Sequence, residues 1–271
     1  MRPLLPAVLL AAMLACLAEA HPGAHVVIDH FTAEIEERPM DQGLRIQRGV
    51  AYSSDGQYQK ALADFRRAEE LGDPVAVAFD LGVLHYRMED FTGARRYFDI
   101  YLDKYPGHAQ TLEYRARLRR DTGDAAGAVQ DYRAYFARTA RPNPGDYSAA
   151  ALLLASMPTD GEEAALALLD EGMSRLGLIP QLQQQAIVLE LRRGRTDRAL
   201  ARQRALEPVL GDSPDWKVEM GELLLQSGNK ADAERQFRLA VEQLETLRPT
   251  PARRALRDKA QQRLAEVRQG S

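Results

Sequence analysis

Residues 42–74 read QGLRIQRGVAYSSDGQYQKALADFRRAEELGDP, and residues 75–106 read VAVAFDLGVLHYRMEDFTGARRYFDIYLDKYP. One pattern is written in both. The first copy carries Gly49, Tyr52, Tyr58, Ala61, Phe65 and Ala68 and runs into Asp73-Pro74. The second carries Leu81, Gly82, His85, Phe91, Ala94, Phe98 and Tyr101 and runs into Pro106. Gly49 and Ala61 lie 12 residues apart, as do Gly82 and Ala94, and each phenylalanine follows its alanine by four.

These offsets have a mechanical reading. In two antiparallel helices joined by a short turn, residues 12 apart face each other where the backbones come closest, and only small side chains fit there. A four-residue step puts each phenylalanine on its alanine's face one turn further on, ready to wedge between neighbouring pairs. The alanine then recurs at Ala61, Ala94, Ala128, Ala165, Ala199 and Ala233, at intervals of 33, 34, 37, 34 and 34. An ordinary helical bundle has no reason to keep such a count.

The small residue, alanine and phenylalanine at these offsets resemble the tetratricopeptide repeat, a helix–turn–helix unit of about 34 residues. The resemblance implies an all-α solenoid, a right-handed superhelix of about six hairpins over residues 42–248. The third repeat has Leu112, Ala116, Ala128 and Tyr132, with Thr122-Gly123-Asp124 in its turn. The run at 141–146, Arg-Pro-Asn-Pro-Gly-Asp, reads as a loop where the array changes angle rather than as a domain boundary. A degenerate fourth repeat follows, with helices expected over 147–156 and 162–176 and with Ala165, Leu169 and Gly172 in the repeat places. The fifth spans 180–207, and the sixth carries Pro214, Met220, Gly221, Leu224, Ala233, Phe237 and Ala240. Past Pro249 and Pro251, a charged helix with the narrow stripe Leu256, Ala260, Leu264 and Val267 is expected to cap the array.

Composition narrows the function. The 271 residues are 45% hydrophobic and 28% charged, and they are rich in strong helix formers. A net charge of −3 argues against a general nucleic-acid binder. A single cysteine excludes an internal disulfide and a cysteine-based zinc site. The chain has no glycine-rich phosphate loop, no nucleophile elbow and no His-Glu-x-x-His, so no enzyme is expected. His85 takes a repeat place usually held by tyrosine and reads as a core residue.

The first twenty residues read as a targeting segment: Arg2, an apolar run over 4–17, then Ala18-Glu19-Ala20. Cleavage before His21 and export to a bacterial periplasm are expected. The alternative is a lipid anchor on Cys16, since Met13-Leu14-Ala15-Cys16 loosely resembles a lipobox. No other run approaches the roughly 20 apolar residues of a membrane span. Residues 21–41 hold His21, His25 and His30 and a short helix over 28–37. A free amine and imidazole at His21, with His25 or His30 as third ligand, would suit Cu(II) or Zn(II). A periplasmic metal-handling protein is therefore the alternative function.

The principal expectation is a protein–protein interaction scaffold or adaptor in the cell envelope. The resemblance implies binding along the first helix of each repeat. That wall would hold Ile46, Val50 and Ser53, then Phe79, Val83, Tyr86 and Arg87, then Glu113, Tyr114, Arg117 and Arg120. Further along stand Gln184, Val188, Leu191 and Arg192, then Val218, Glu222 and Leu225. Its middle would be aromatic and basic, suited to an extended segment with an acidic or C-terminal carboxylate group. Alternatively, Arg115, Arg117, Arg119 and Arg120 only solvate one helix and pair with Glu113 and Asp121. Ile46 and Val50 stand where some relatives carry a carboxylate clamp of lysine and asparagine, so that clamp is not supported.

Overall fold

A computed structural model describes residues 23–269, and all regular structure among them is α-helix. The leader over 1–20, Cys16 and His21 lie outside the described residues. The helices fall into two compact units, one ending at Arg138 and the other beginning at Thr139. Where the repeat spacing predicts one array across 42–248, the division comes beside the loop that lengthens the 37-residue interval.

In the first unit, α1 (Ala24–Glu37) packs on α2 (Gln42–Ser54). Three hairpins follow from there: α2 with α3 (Tyr58–Leu71), α4 (Val75–Arg87) with α5 (Phe91–Lys104), and α6 (Ala109–Asp121) with α7 (Ala125–Phe136). The first helices also touch in sequence, α2 on α4 and α4 on α6, so they form one wall. In the second unit α8 (Pro144–Ala155) pairs with α9 (Gly161–Leu176), and α10 (Pro180–Arg192) pairs with α11 (Thr196–Ala205). A one-turn helix α12 (Glu207–Leu210) precedes the pair α13 (Pro214–Gln226) and α14 (Lys230–Thr246). Finally α15 (Pro251–Gln269) lies against α14 and α13 with Ala260 and Val267 buried.

Local chemistry sets the helix starts. Asp41, Asp90 and Asp124 accept hydrogen bonds from the backbone N–H groups of Leu44, Gly93 and Gly127, which the helix itself leaves unpaired. Asn143 does the same for Gly145, and Pro144 supplies the fixed φ that suits a first helical residue. The helix expected from residue 147 therefore begins at Pro144, inside the stretch whose prolines and glycine read as loop.

Each hairpin turns through one left-handed residue five places ahead of its repeat alanine. Gly56, Glu89, Gly123, Asp160, Gly194 and Gly228 all have positive φ. Four of the six are glycine, which adopts this conformation without Cβ crowding.

The close-approach expectation needs one correction. A Cβ added at Gly49 would stand 2.4 Å from the Phe65 ring, and one at Gly82 would stand 2.5 Å from Phe98. At Gly221 the nearest atom, 2.6 Å away, belongs to Phe237. The glycines are therefore demanded by the phenylalanine ring rather than by the facing alanine. At the same 16-residue spacing the other three hairpins hold Ala116 with Tyr132, Leu153 with Leu169 and Ile187 with Gln203. Phe65, Phe98 and Phe237 are all buried.

Candidate functional site

The wall of α2, α4 and α6 carries a cavity of about 170 Å³ in the first unit. Val50, Ser53 and Ser54 of α2 line it, with Phe79, Asp80, Val83 and Arg87 of α4 and Gln110 and Tyr114 of α6. Phe65 of α3 forms its floor. Phe79 is the hub of an aromatic cluster, with ring centroids 5.8 Å from Tyr101, 5.3 Å from His108 and 5.9 Å from Tyr114. Such edge-on and tilted contacts fix ring orientation and leave one apolar face toward the cavity. Val50 remains 40% exposed.

The expected basic centre is not free. Arg87 donates to the backbone carbonyl of Ser53 at 3.0 Å and to its hydroxyl at 3.2 Å, closing the end of α2. Arg117 pairs with Glu113 at 2.5 Å and lies over the Tyr114 ring at 5.8 Å, while Arg120 pairs with Asp121 at 2.8 Å. Tyr86 donates to Asp121 at 2.5 Å, and burial together with that bond pushes its hydroxyl pKa up to about 12. Arg117 and Arg120 thus have their charge balanced by Glu113 and Asp121, while Arg87 is held by the neutral oxygens of Ser53.

Arg115 and Arg119 do not merely solvate α6. Both reach the buried carboxylate of Asp131 on α7, and Arg115 also holds Asp99 on α5. Arg48 and Asp64 form the equivalent pair between α2 and α3 with two bonds of 2.7 Å. In both pairs arginine precedes aspartate by 16 residues, a spacing in the sequence that marks facing positions across a hairpin.

Sequence reasoning missed Asp80, because a lone acid on a helix carries no signal. Its carboxyl accepts no hydrogen bond and forms no ion pair among the described residues, and burial pushes its pKa up to about 6. Arg87 and Tyr114 share its cavity, Tyr101 on α5 feels its charge, and α2 contributes only Val50, Ser53 and Ser54. Between about pH 4 and pH 6 the folded chain keeps a proton that the unfolded chain releases. Stability should therefore fall as pH rises through that window, by up to about 3 kcal/mol in all. Asp80→Asn should lack this slope and be the more stable protein at pH 7. Urea unfolding of both proteins at several pH values, followed by circular dichroism, reads the difference; parallel profiles would contradict the assignment.

In the second unit a cavity of about 350 Å³ separates α10 from α13. Gln184, Ile187, Val188 and Leu191 face Glu222 and Leu223 across it, with Lys259 of α15 at its edge. Arg192 is exposed at the last turn of α10 and stands outside this lining. Lys259 and Arg263 both pair with Glu222.

His85 is a packed residue, stacked on Tyr97 at 5.3 Å and bonded to Asp90 at 2.8 Å. His25 and His30 are exposed on α1, and their five-residue separation turns them to different faces. Among the described residues no group of three His, Cys, Asp or Glu could hold a metal ion. No described helix is long and apolar enough to cross a membrane.

Stacked helical hairpins with an open wall of first helices define a class of protein–protein interaction scaffold, generally non-enzymatic. Residues 79–147 match the family model of the tetratricopeptide repeat. The fold is that of solved tetratricopeptide-repeat structures. The C-terminal part of a TPR repeat-containing protein from Cytophaga hutchinsonii superposes with a TM-score of 0.67 at 12% identity, covering 83% of this chain and 92% of that one. A tetratricopeptide repeat protein from Parabacteroides merdae gives 0.52 at 15% identity, covering 88% and 92%. MamA gives 0.52 at 17% identity, covering 65% and 98%. No curated protein sequence matches the chain.

Proposed function

We propose that this chain is an exported adaptor that holds an extended segment of a partner protein against the wall of α2, α4 and α6. The observation that carries this reading is the cavity whose sides come from three successive first helices and whose apolar surface is Val50, Phe79, Val83 and Tyr114. Val50 and the rings of Phe79 and Tyr114 offer an apolar footing beside the polar groups of Ser53, Ser54, Gln110 and Asp80, and rigid rings lose little entropy on binding. The apolar run and small residues of positions 4–20 support export to the bacterial envelope.

A photoreactive phenylalanine analogue at position 50 should trap the partner in cells. Val83→Glu, which brings a charge into the cavity at a side chain packed against Ala94, Phe98 and Leu118, should cut the trapped yield by at least about tenfold in protein whose circular dichroism shows it still folded. Undiminished trapping would move the binding surface elsewhere. Mass spectrometry of the processed chain tests the export route: a terminus at His21 fits signal-peptide cleavage, and an acylated Cys16 fits the anchored form.

A further inference from the structure

We propose that Asp80 is the specificity determinant of this wall, a seat for one lysine or arginine side chain of an otherwise apolar partner segment. This rests on the docking reading just given. The buried carboxylates of the first unit each have a partner: Asp64 holds Arg48, Asp131 holds Arg115, and Asp55 accepts from Gln57 through one of its two oxygens. Asp80 is half-buried and lines the cavity, and its carboxyl has no hydrogen bond or ion pair among the described residues. A half-buried acid that faces a cavity with no cation beside it is a group suited to receive one from a guest.

The cavity suits an organic cation in particular. Phe79 and Tyr114 wall it with rings, and ring faces attract ammonium and guanidinium groups. Ser53, Ser54 and Gln110 add oxygens that could accept the remaining N–H groups of such a head. One carboxylate is too few for a hard metal ion, which needs several oxygen ligands. Arg87, on the same helix, is held by Ser53 and stands seven residues from Asp80, about 10 Å along the axis. It therefore leaves Asp80 for a guest. Val50 and Val83 beside the acid ask for apolar side chains flanking the basic one.

The test is a phage library of random dodecapeptides panned against the full chain, its Asp80→Asn variant and its Val83→Glu variant. The wild-type chain should select sequences with one Lys or Arg at a constant place among apolar residues. A synthetic peptide of the selected sequence should bind Asp80→Asn at least about tenfold more weakly. Peptides that need Val83 but carry no constant basic residue, or that bind Asp80→Asn equally well, overturn the Asp80 assignment alone. Recovery of no Val83-dependent peptide overturns the docking reading, and this assignment with it.

Discussion

Phe98→Ala should destabilise the first unit by about 3–5 kcal/mol and Gly82→Ala by about 1–3 kcal/mol, yet the double variant should lose less than their sum. The reason is that the two positions share one volume. The Phe98 ring is fully buried, and a methyl group at position 82 would stand 2.5 Å from it, a distance that real contacts never show. Gly82→Ala must therefore push the ring into Leu118 and Tyr114, its neighbours on α6. Phe98→Ala instead empties the site, and the added methyl then fills part of the hole. Urea unfolding of the four proteins, followed by circular dichroism, measures the coupling. Additive losses would mean that the glycine answers to the facing alanine after all. Phe98 also touches Tyr114 at 6.0 Å, so the single variant should loosen one side of the cavity as well as the core.

The hairpins were legible because their close packing leaves a mark at a fixed interval. Six alanines keep the repeat through two hairpins whose other markers have decayed, and the left-handed turn residues keep the same count five places earlier. The start of α8 was hidden because Asn143-Pro144 is both a loop signal and a helix start; only the hydrogen bond from Gly145 to Asn143 decides. The wall was legible as a set of first-helix residues, since Phe79, Val83 and Tyr114 do come together at one cavity. Its charge was not. Arginines at 115, 117, 119 and 120 look alike in a string, but alternate faces of α6 send two of them inward to Asp131 and two to acids on their own helix. Asp80 could only be singled out by finding what it lacks, and a missing partner is a property of three dimensions.

The buried arginine–aspartate network should prove as costly to break as the core. Asp131→Ala is expected to destabilise the first unit by about 3–5 kcal/mol, because it strands two cations that the fold has drawn in. Arg115 donates twice to Asp131, at 2.8 and 2.9 Å, and Arg119 once at 2.9 Å. The Asp131 side chain is 3% exposed against 18% for Arg115 and 22% for Arg119. Burial opposes the Arg115 charge, but its bonds to Asp131 and Asp99 outweigh that and hold it firmly ionised. The guanidinium groups can reach some water once freed, which places the loss toward the lower end of the range. Replacing the three residues together, Asp131→Leu with Arg115→Met and Arg119→Met, should recover most of the stability, since no charge is then left unpaired. The network also sets the rotation of α6 against α7, and α6 carries Tyr114 and Gln110 into the cavity. Asp131→Ala should therefore weaken partner capture even below its unfolding midpoint, whereas the apolar triple variant should recover stability more fully than capture. A single variant as stable as the parent would show that the pair merely decorates the hairpin; equal capture by all three proteins would free the cavity from any dependence on it.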